Sequence, residues 1–300
     1  MSIAKEIVKL LPPRKKTSHK GNYGRVLILA GSQGLSGACV LASEAAVRSG
    51  AGLVTVGVPR SLLLPLTKRF TEAMMKPFPE TSSGSLGLKA LKPVQDLLKT
   101  QDVLALGPGL SQNKETQKLI RRIALNSKKT MVLDADGLTA FVHHTNLFRK
   151  LKAEVILTPH PGEFVRLFSA KGRISPSAEA AKIPRTETER KNTALSVAKK
   201  FKVVVVLKGS QTVVASPNGK VFVNSTGNPG MATGGTGDVL TGVIAALLGQ
   251  GLAPFDAARA GVYIHGLAGD LAKKKFGEIS LTAGDVLQNL PAAFRKALKR

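Results

Sequence analysis

Between residues 25 and 208 the chain repeats one pattern, and that pattern leaves few folds open. Short apolar runs at 25–32, 53–59, 103–106, 130–134, 154–158 and 203–208 alternate with helix-forming stretches at 38–50, 89–99, 114–126, 162–168 and 190–201. Apolar runs of this length, closed by glycine or proline, read as buried strands. Strands alternating with helices predict an α/β protein with a mainly parallel sheet covered on both faces. After 208 the pattern changes. TVVAS and KVFVN flank a Pro217-Asn218-Gly219 turn and read as consecutive antiparallel strands. A glycine-rich loop follows, then an apolar helix from Asp238 onward and a second from Pro254 to about Lys274. No repeat or shift in composition divides the chain, so a single domain over 1–300 is expected, with its core at about 20–295. The Ser-, Pro- and charge-rich stretch 169–190 is predicted to be a surface excursion.

Composition excludes several functions. The hydrophobic content of 43% supplies a sizeable core, whereas 4% aromatic content without tryptophan offers little for stacking platforms. A single cysteine, Cys39, precludes an intrachain disulfide or a multi-cysteine metal site. That fits a reducing cytoplasm, and the N-terminus has no secretory pattern. No segment approaches the roughly 18 apolar residues of a membrane span. The formal charge of +25 is spread along the chain without an RNA-binding aromatic pattern, so it suits anionic small molecules rather than nucleic acid.

Four strand ends carry candidate chemistry, because ligands of open α/β sheets bind beyond the carboxyl ends of strands. Gly31-Ser32-Gln33-Gly34 and Gly37-Ala38 follow the first strand with G-x-x-G-x-x-G spacing. This is neither a dinucleotide fingerprint nor a Walker A loop. Asp134 and Asp136 end another strand and would either organise a metal or phosphate-bound magnesium, or cap the next helix. His160 lies between prolines that fix its backbone, and Glu163 suits a first helical turn on dipole grounds alone. Lys208-Gly209-Ser210-Gln211-Thr212 is either a plain turn between strands or a set of contacts to a nucleotide.

The stretch 224–251 is the strongest of these signals. Five glycines (Gly227, Gly230, Gly234, Gly235 and Gly237) precede the helix, and a glycine loop opening on free helix N–H groups makes a phosphate cradle. Asp238 then stands at the mouth of an anion site. It reads either as a simple N-cap or as a base taking a proton from a hydroxyl during phosphoryl transfer. Helix dipole arguments predict that it stays ionised.

Taken in order, GSQGLSGACVLASEAAVRSGAGLVTVGVP, LGPGL, LDADGLTA, LTPHPGEFVRL, LKGSQTVV and NPGMATGGTGDVLTGVIAALLGQG resemble the ADP- or ATP-dependent NAD(P)H-hydrate dehydratases, a branch of the ribokinase-like superfamily. The similarity runs from His19-Lys20-Gly21 to residues 281–287. The resemblance implies a ribokinase-like three-layer αβα sandwich with antiparallel strands near the C-terminal part. It also implies a repair reaction in which hydrated NADH or NADPH (the S-epimer) is phosphorylated on its ring hydroxyl and loses phosphate. In that pattern Asp238 is the base and contacts the hydrated ring, and Ala38, Gly109 and His160 line the hydrate site. Lys208 through Thr212 and Gly237 hold the adenine nucleotide, and Gly234, Gly235 and Gly237 form the anion hole. Magnesium is implied with the nucleotide, with ADP the expected donor in a bacterial source. A homotetramer is implied, as is a separate epimerase acting on the same metabolite, since the chain starts almost directly at the dehydratase part. Thr139 stands where the family pattern has Asn and is given no role.

Overall fold

In a computed structural model the described residues are 3–11, 13–168, 184 and 186–298. They form a nine-stranded sheet in the order β3-β2-β1-β4-β5-β6-β7-β8-β9. The strands are β1 (Arg25–Leu29), β2 (Leu53–Pro59), β3 (Met74–Phe78), β4 (Val103–Leu106), β5 (Thr130–Leu133), β6 (Val155–Leu157), β7 (Val204–Leu207), β8 (Val213–Ala215) and β9 (Val221–Val223). Strands β1 to β7 pair in parallel, and β7-β8-β9 pair antiparallel.

The two-residue period of a strand divides its side chains between two helical layers. Val26 and Ile28 of β1 face a core shared with helices Ser36–Arg48, Thr236–Gly249, Pro254–Phe276 and Ala283–Leu298. Leu27 and Leu29 face the opposite core, shared with helices Leu91–Leu98, Lys114–Asn126 and Glu187–Phe201. The sandwich therefore has the three expected layers.

Three elements depart from the sequence reading. Strand β3 is an edge strand, alternately exposed, and its sequence MMKPF lacks the continuous apolar run that marks the interior strands. Helix Ile3–Leu10 places Ile7 in the core, so the packed body starts before residue 20. Helix Ala283–Leu298 carries Pro291 in its interior, a residue that argues against an unbroken helix when read from sequence. Residues 187–190 of the predicted excursion are helical, while 169–183 and 185 lie outside the described residues.

Helix Thr236–Gly249 occupies the centre of one layer and is buried without a break from Val239 to Leu248. Two glycines let its neighbours approach. A Cβ on Gly242 would stand 2.0 Å from the Ala42 carbonyl oxygen, and one on Gly261 would stand 2.6 Å from Ile244 Cγ1. Helices Ser36–Arg48 and Thr236–Gly249 thus meet almost backbone to backbone, and both open beyond the strand ends.

Candidate active site

The mouth of helix Thr236–Gly249 is built by its sequence. Gly235 occupies the cap position at φ 90°, where no side chain accepts a hydrogen bond from the first turn. A Cβ there would come within 2.5 Å of Leu41 Cδ1, so both conformation and space demand glycine. Gly234 faces open space. Thr236 donates from its hydroxyl to the Met231 and Thr233 carbonyls, which ties the loop under the helix. The first N–H groups remain free for a ligand, and Asp238 stands in the same turn.

Three strand ends converge on this mouth. Asp134 follows β5 and is 1% exposed. Its Oδ1 accepts from Thr158 Oγ1 at 2.7 Å and from Lys208 Nζ at 2.8 Å, and its Oδ2 accepts from Thr241 Oγ1 at 2.7 Å. Lys208, after β7, also lies 3.9 Å from Glu163 Oε2. Burial disfavours its ammonium, but Asp134 and Glu163 outweigh burial and hold its pKa above the ordinary lysine value. Its Nζ comes within 3.2 Å of where a Gly237 Cβ would be, so it reaches the helix mouth.

Asp238 differs from the dipole expectation. Burial first, then the negative charge of Asp134, push its carboxyl up to about 7, with Lys208 opposing. The desolvation cost of the charged form exceeds the help from the helix N-terminus. A carboxyl at that value is matched to proton transfer near neutrality.

His160 caps helix Pro161–Phe168 with its own ring. Nδ1 accepts from the Gly162 and Glu163 amides at 3.1 and 3.3 Å, which leaves the proton on Nε2. Burial, then Lys208 and Arg166, lower its pKa, so the half-exposed ring is neutral at pH 7. Glu163 returns the contact by accepting from the His160 amide at 2.8 Å.

Ala38 and Gly109 pack closely against each other. Gly109 has φ 61°, and a Cβ there would stand 2.9 Å from Ala38 Cβ. Ser32 Oγ fixes this loop by donating to the Gly109 carbonyl at 2.8 Å. Cys39, one residue after Ala38, is pushed up to about 12 by burial, and the Asp238 charge adds to that rise. The buried thiol is inert packing.

A cavity of about 720 Å³ opens between the β7 end and the glycine loop. His160, Lys208, Gly209, Ser210, Gln211, Thr212, Gly234 and Gly237 line it. Gly235, Ala38, Gly109 and Asp238 do not. Two groups of residues were given no individual role by the sequence, although Asn224 and Thr226 lie in the stretch 224–251. Asn224, Thr226, Val262 and His265 complete the cavity, the last three around helix Pro254–Phe276. Arg190, from the stretch read as a surface excursion, donates to the carbonyls of Leu207, Lys208 and Ser210 and so shapes the 208–212 loop. His265 is buried, its Nε2 has no partner, and burial lowers its pKa to about 4. A capping-type reading of local sequence finds none of these, because each acts across the fold.

Among the described residues no three His, Cys, Asp or Glu side chains stand together as a metal cage. Asp134 is engaged by three donors, and Asp136 accepts from the Ser111 amide at 2.8 Å. Neither side chain caps the short helix Asp136–Thr139, whose cap position is Ala135 without a side-chain hydrogen bond. Magnesium, which keeps water and rides on substrate phosphates, needs no protein cage of its own.

A mainly parallel sheet turning antiparallel at its last strands, with a glycine loop and an aspartate at a buried helix mouth, defines a ribokinase-like protein. Ribokinase from Thermotoga maritima shares this fold at a TM-score of 0.51 and 15% identity. Residues 26–292 match the family model described as NAD(P)H-hydrate dehydratase, and the chain belongs to that family. The solved ADP/ATP-dependent NAD(P)H-hydrate dehydratase from Bacillus subtilis, co-crystallised with ATP and Mg2+, superposes at a TM-score of 0.82 with 32% identity, covering 98% of this chain and 97% of that one. The ADP-dependent (S)-NAD(P)H-hydrate dehydratase of Bacillus subtilis is 34% identical over 95% of this chain and 94% of its own length. A bifunctional NAD(P)H-hydrate repair enzyme of Moorella thermoacetica is 45% identical over 95% of this chain and 52% of its own length. The chain thus spans about half the length of the bifunctional relatives it matches. No helix among the described residues is long and apolar enough to cross a membrane.

Proposed function

We propose that this chain restores NADH and NADPH from their S-hydrates at the expense of ADP or ATP. The observation that carries the proposal is Asp238, a buried carboxyl in the first turn of an uncapped helix whose neighbours Gly234 and Gly237 line a nucleotide-sized cavity. The nucleotide lies along Lys208–Thr212 with its terminal phosphoryl group at the free N–H groups of Gly234–Gly237. The hydrated ring lies against Ala38 and Gly109, with His160 Nε2–H available to its amide or phosphate groups.

Asp238 takes the proton of the ring hydroxyl as that oxygen bonds to the terminal phosphorus, and the bond to the shortened nucleotide breaks. Lys208 and the glycine-loop amides stabilise the charge that spreads over the transferring group. Phosphate then leaves with the electron pair of the C–O bond, and a proton lost from the neighbouring ring carbon restores the double bond. Bound magnesium would supply charge neutralisation on the nucleotide phosphates. The opposite hydrate epimer is the business of a separate epimerase activity.

The test is recovery of the reduced-nicotinamide absorbance from purified hydrate, run in parallel with ADP and ATP. Nucleotide-dependent recovery is expected. A stable phosphate ester on a small alcohol, with no recovery from hydrate, would turn the reading to a kinase.

A further inference from the structure

Asp134 is not explained by binding either substrate. It is 1% exposed, and its carboxylate is occupied by Thr158, Lys208 and Thr241. Those partners belong to the end of β6, the end of β7 and the interior of helix Thr236–Gly249. Thr241 is three residues beyond Asp238, so it lies on the same helical face. One carboxylate therefore ties the lysine and the helix bearing the base to a single point beneath the mouth. Its Oδ2 lies 3.9 Å from where a Gly237 Cβ would be, the same place that Lys208 Nζ approaches from 3.2 Å.

An isolated buried carboxylate is costly, and three well-placed donors make this one tolerable. The stem of Lys208 has many rotamers in water. With its ammonium clamped it has essentially one, and the entropy of ordering it is spent on folding rather than on binding.

We infer that Asp134 is the positioning residue of the site: it clamps Lys208 against the first turn of the helix that carries Asp238. The inference rests on the proposed activity for its rate measurements, but not for its binding measurement. Asp134 also faces Asp238 together with Asp136, Glu163, Lys208 and Cys39, which approach from the β5, β6, β7 and Ser36–Arg48 sides. Removing its charge leaves Lys208 as the dominant neighbour of Asp238, and the base then ionises at lower pH.

Asp134→Asn and Thr241→Val are to be compared with the unaltered protein, using calorimetric ADP binding, KM for each substrate and the pH dependence of kcat/KM. For Asp134→Asn, ADP affinity is expected to fall at least tenfold and nucleotide KM to rise with it. The hydrate KM should hold, and the acid limb should move to lower pH by about one unit. Thr241→Val keeps the charge and frees the clamp from the helix, so it should weaken ADP several-fold without moving the limb. Unaltered ADP affinity and an unmoved limb in folded Asp134→Asn would overturn the inference. If that variant does not fold, unaltered ADP affinity in Thr241→Val overturns it. Failure of the unaltered protein to recover hydrate sinks the proposed function instead, and the ADP measurement still decides the clamp.

Discussion

The helices of this protein begin in two ways. Lys114–Asn126, Glu187–Phe201 and Ala283–Leu298 are closed by their own side chains: Asn113 accepts from the Glu115 and Thr116 amides, Thr186 and Glu189 form a reciprocal box, and so do Thr282 and Asp285. Ser36–Arg48 and Thr236–Gly249 begin at Leu35 and Gly235 with no side-chain acceptor at all. The capped helices belong to the scaffold. Leu91–Leu98 and Pro254–Phe276 also lack a side-chain cap, but the first continues a preceding 3-10 turn and the second starts on a proline, which has no N–H to satisfy. Ser36–Arg48 and Thr236–Gly249 open onto the site and carry Ala38 and Asp238. An unsatisfied turn is unfavourable in isolation, and here it is kept where a phosphate or a ring oxygen can complete it. Between these cases lies His160, which caps its helix through Nδ1, keeps Nε2 3.6 Å from Glu163 Oε1, and lines the cavity.

The sharpest way to break this division is at Asp238. Asp238→Asn is expected to fold, to bind ADP as before, and to lose turnover by about a thousandfold, within the usual range for a removed general base. A near-normal rate in the hydrate-recovery assay would return Asp238 to the class of structural first-turn acids. In the unaltered protein kcat/KM should rise with pH through about 7, because only the ionised carboxylate accepts the proton.

A second prediction concerns His265, buried beside the bare mouth. Its folded pKa is lowered from 6.5 to about 4 by burial, so the folded state binds fewer protons than the unfolded chain. Its contribution to stability is fully present above pH 6.5 and is lost as pH falls toward 4, a change of roughly 3 kcal/mol at about 1.4 kcal/mol per unit. Urea unfolding at pH 7.5 and 4.5 measures it, and His265→Phe should flatten the difference.

Gly234→Ala sharpens the comparison further. Gly234 has open space around it and no positive φ, so the variant should keep its Tm. The methyl group enters the phosphoryl site, and kcat should drop at least about tenfold. Gly235→Ala, by contrast, should lose stability, because its φ and Leu41 exclude a side chain. Smallest of all is Thr186→Ala, expected to cost about 1 kcal/mol in urea unfolding with kcat unchanged. A rate loss there would show that scaffold caps and site mouths are not separate.

Much of this was legible in the chain itself. Interior strands announced themselves because both faces are buried, and the glycine loop because backbone approach to a ligand needs missing side chains. Strand β3 did not, since half of it meets solvent. Asp134 stood out at its strand end, but its role is set by partners far along the chain. Asp134 meets Thr241 across 107 residues and Lys208 across 74. Arg190 gives no local sign that it grips three carbonyls of a loop. The ionisation of Asp238 was misjudged for a related reason: the dipole is read from its own helix, whereas burial and Asp134 come from elsewhere.

The near contact of Gly242 with the Ala42 carbonyl fixes something besides packing. It sets the gap between the two bare helix mouths with backbone atoms, which neither swing nor swell. The gap is a gauge block, indifferent to what decorates the exterior. A lineage can therefore carry 44 lysines and arginines against 19 acids and leave the spacing of the reacting groups where it was.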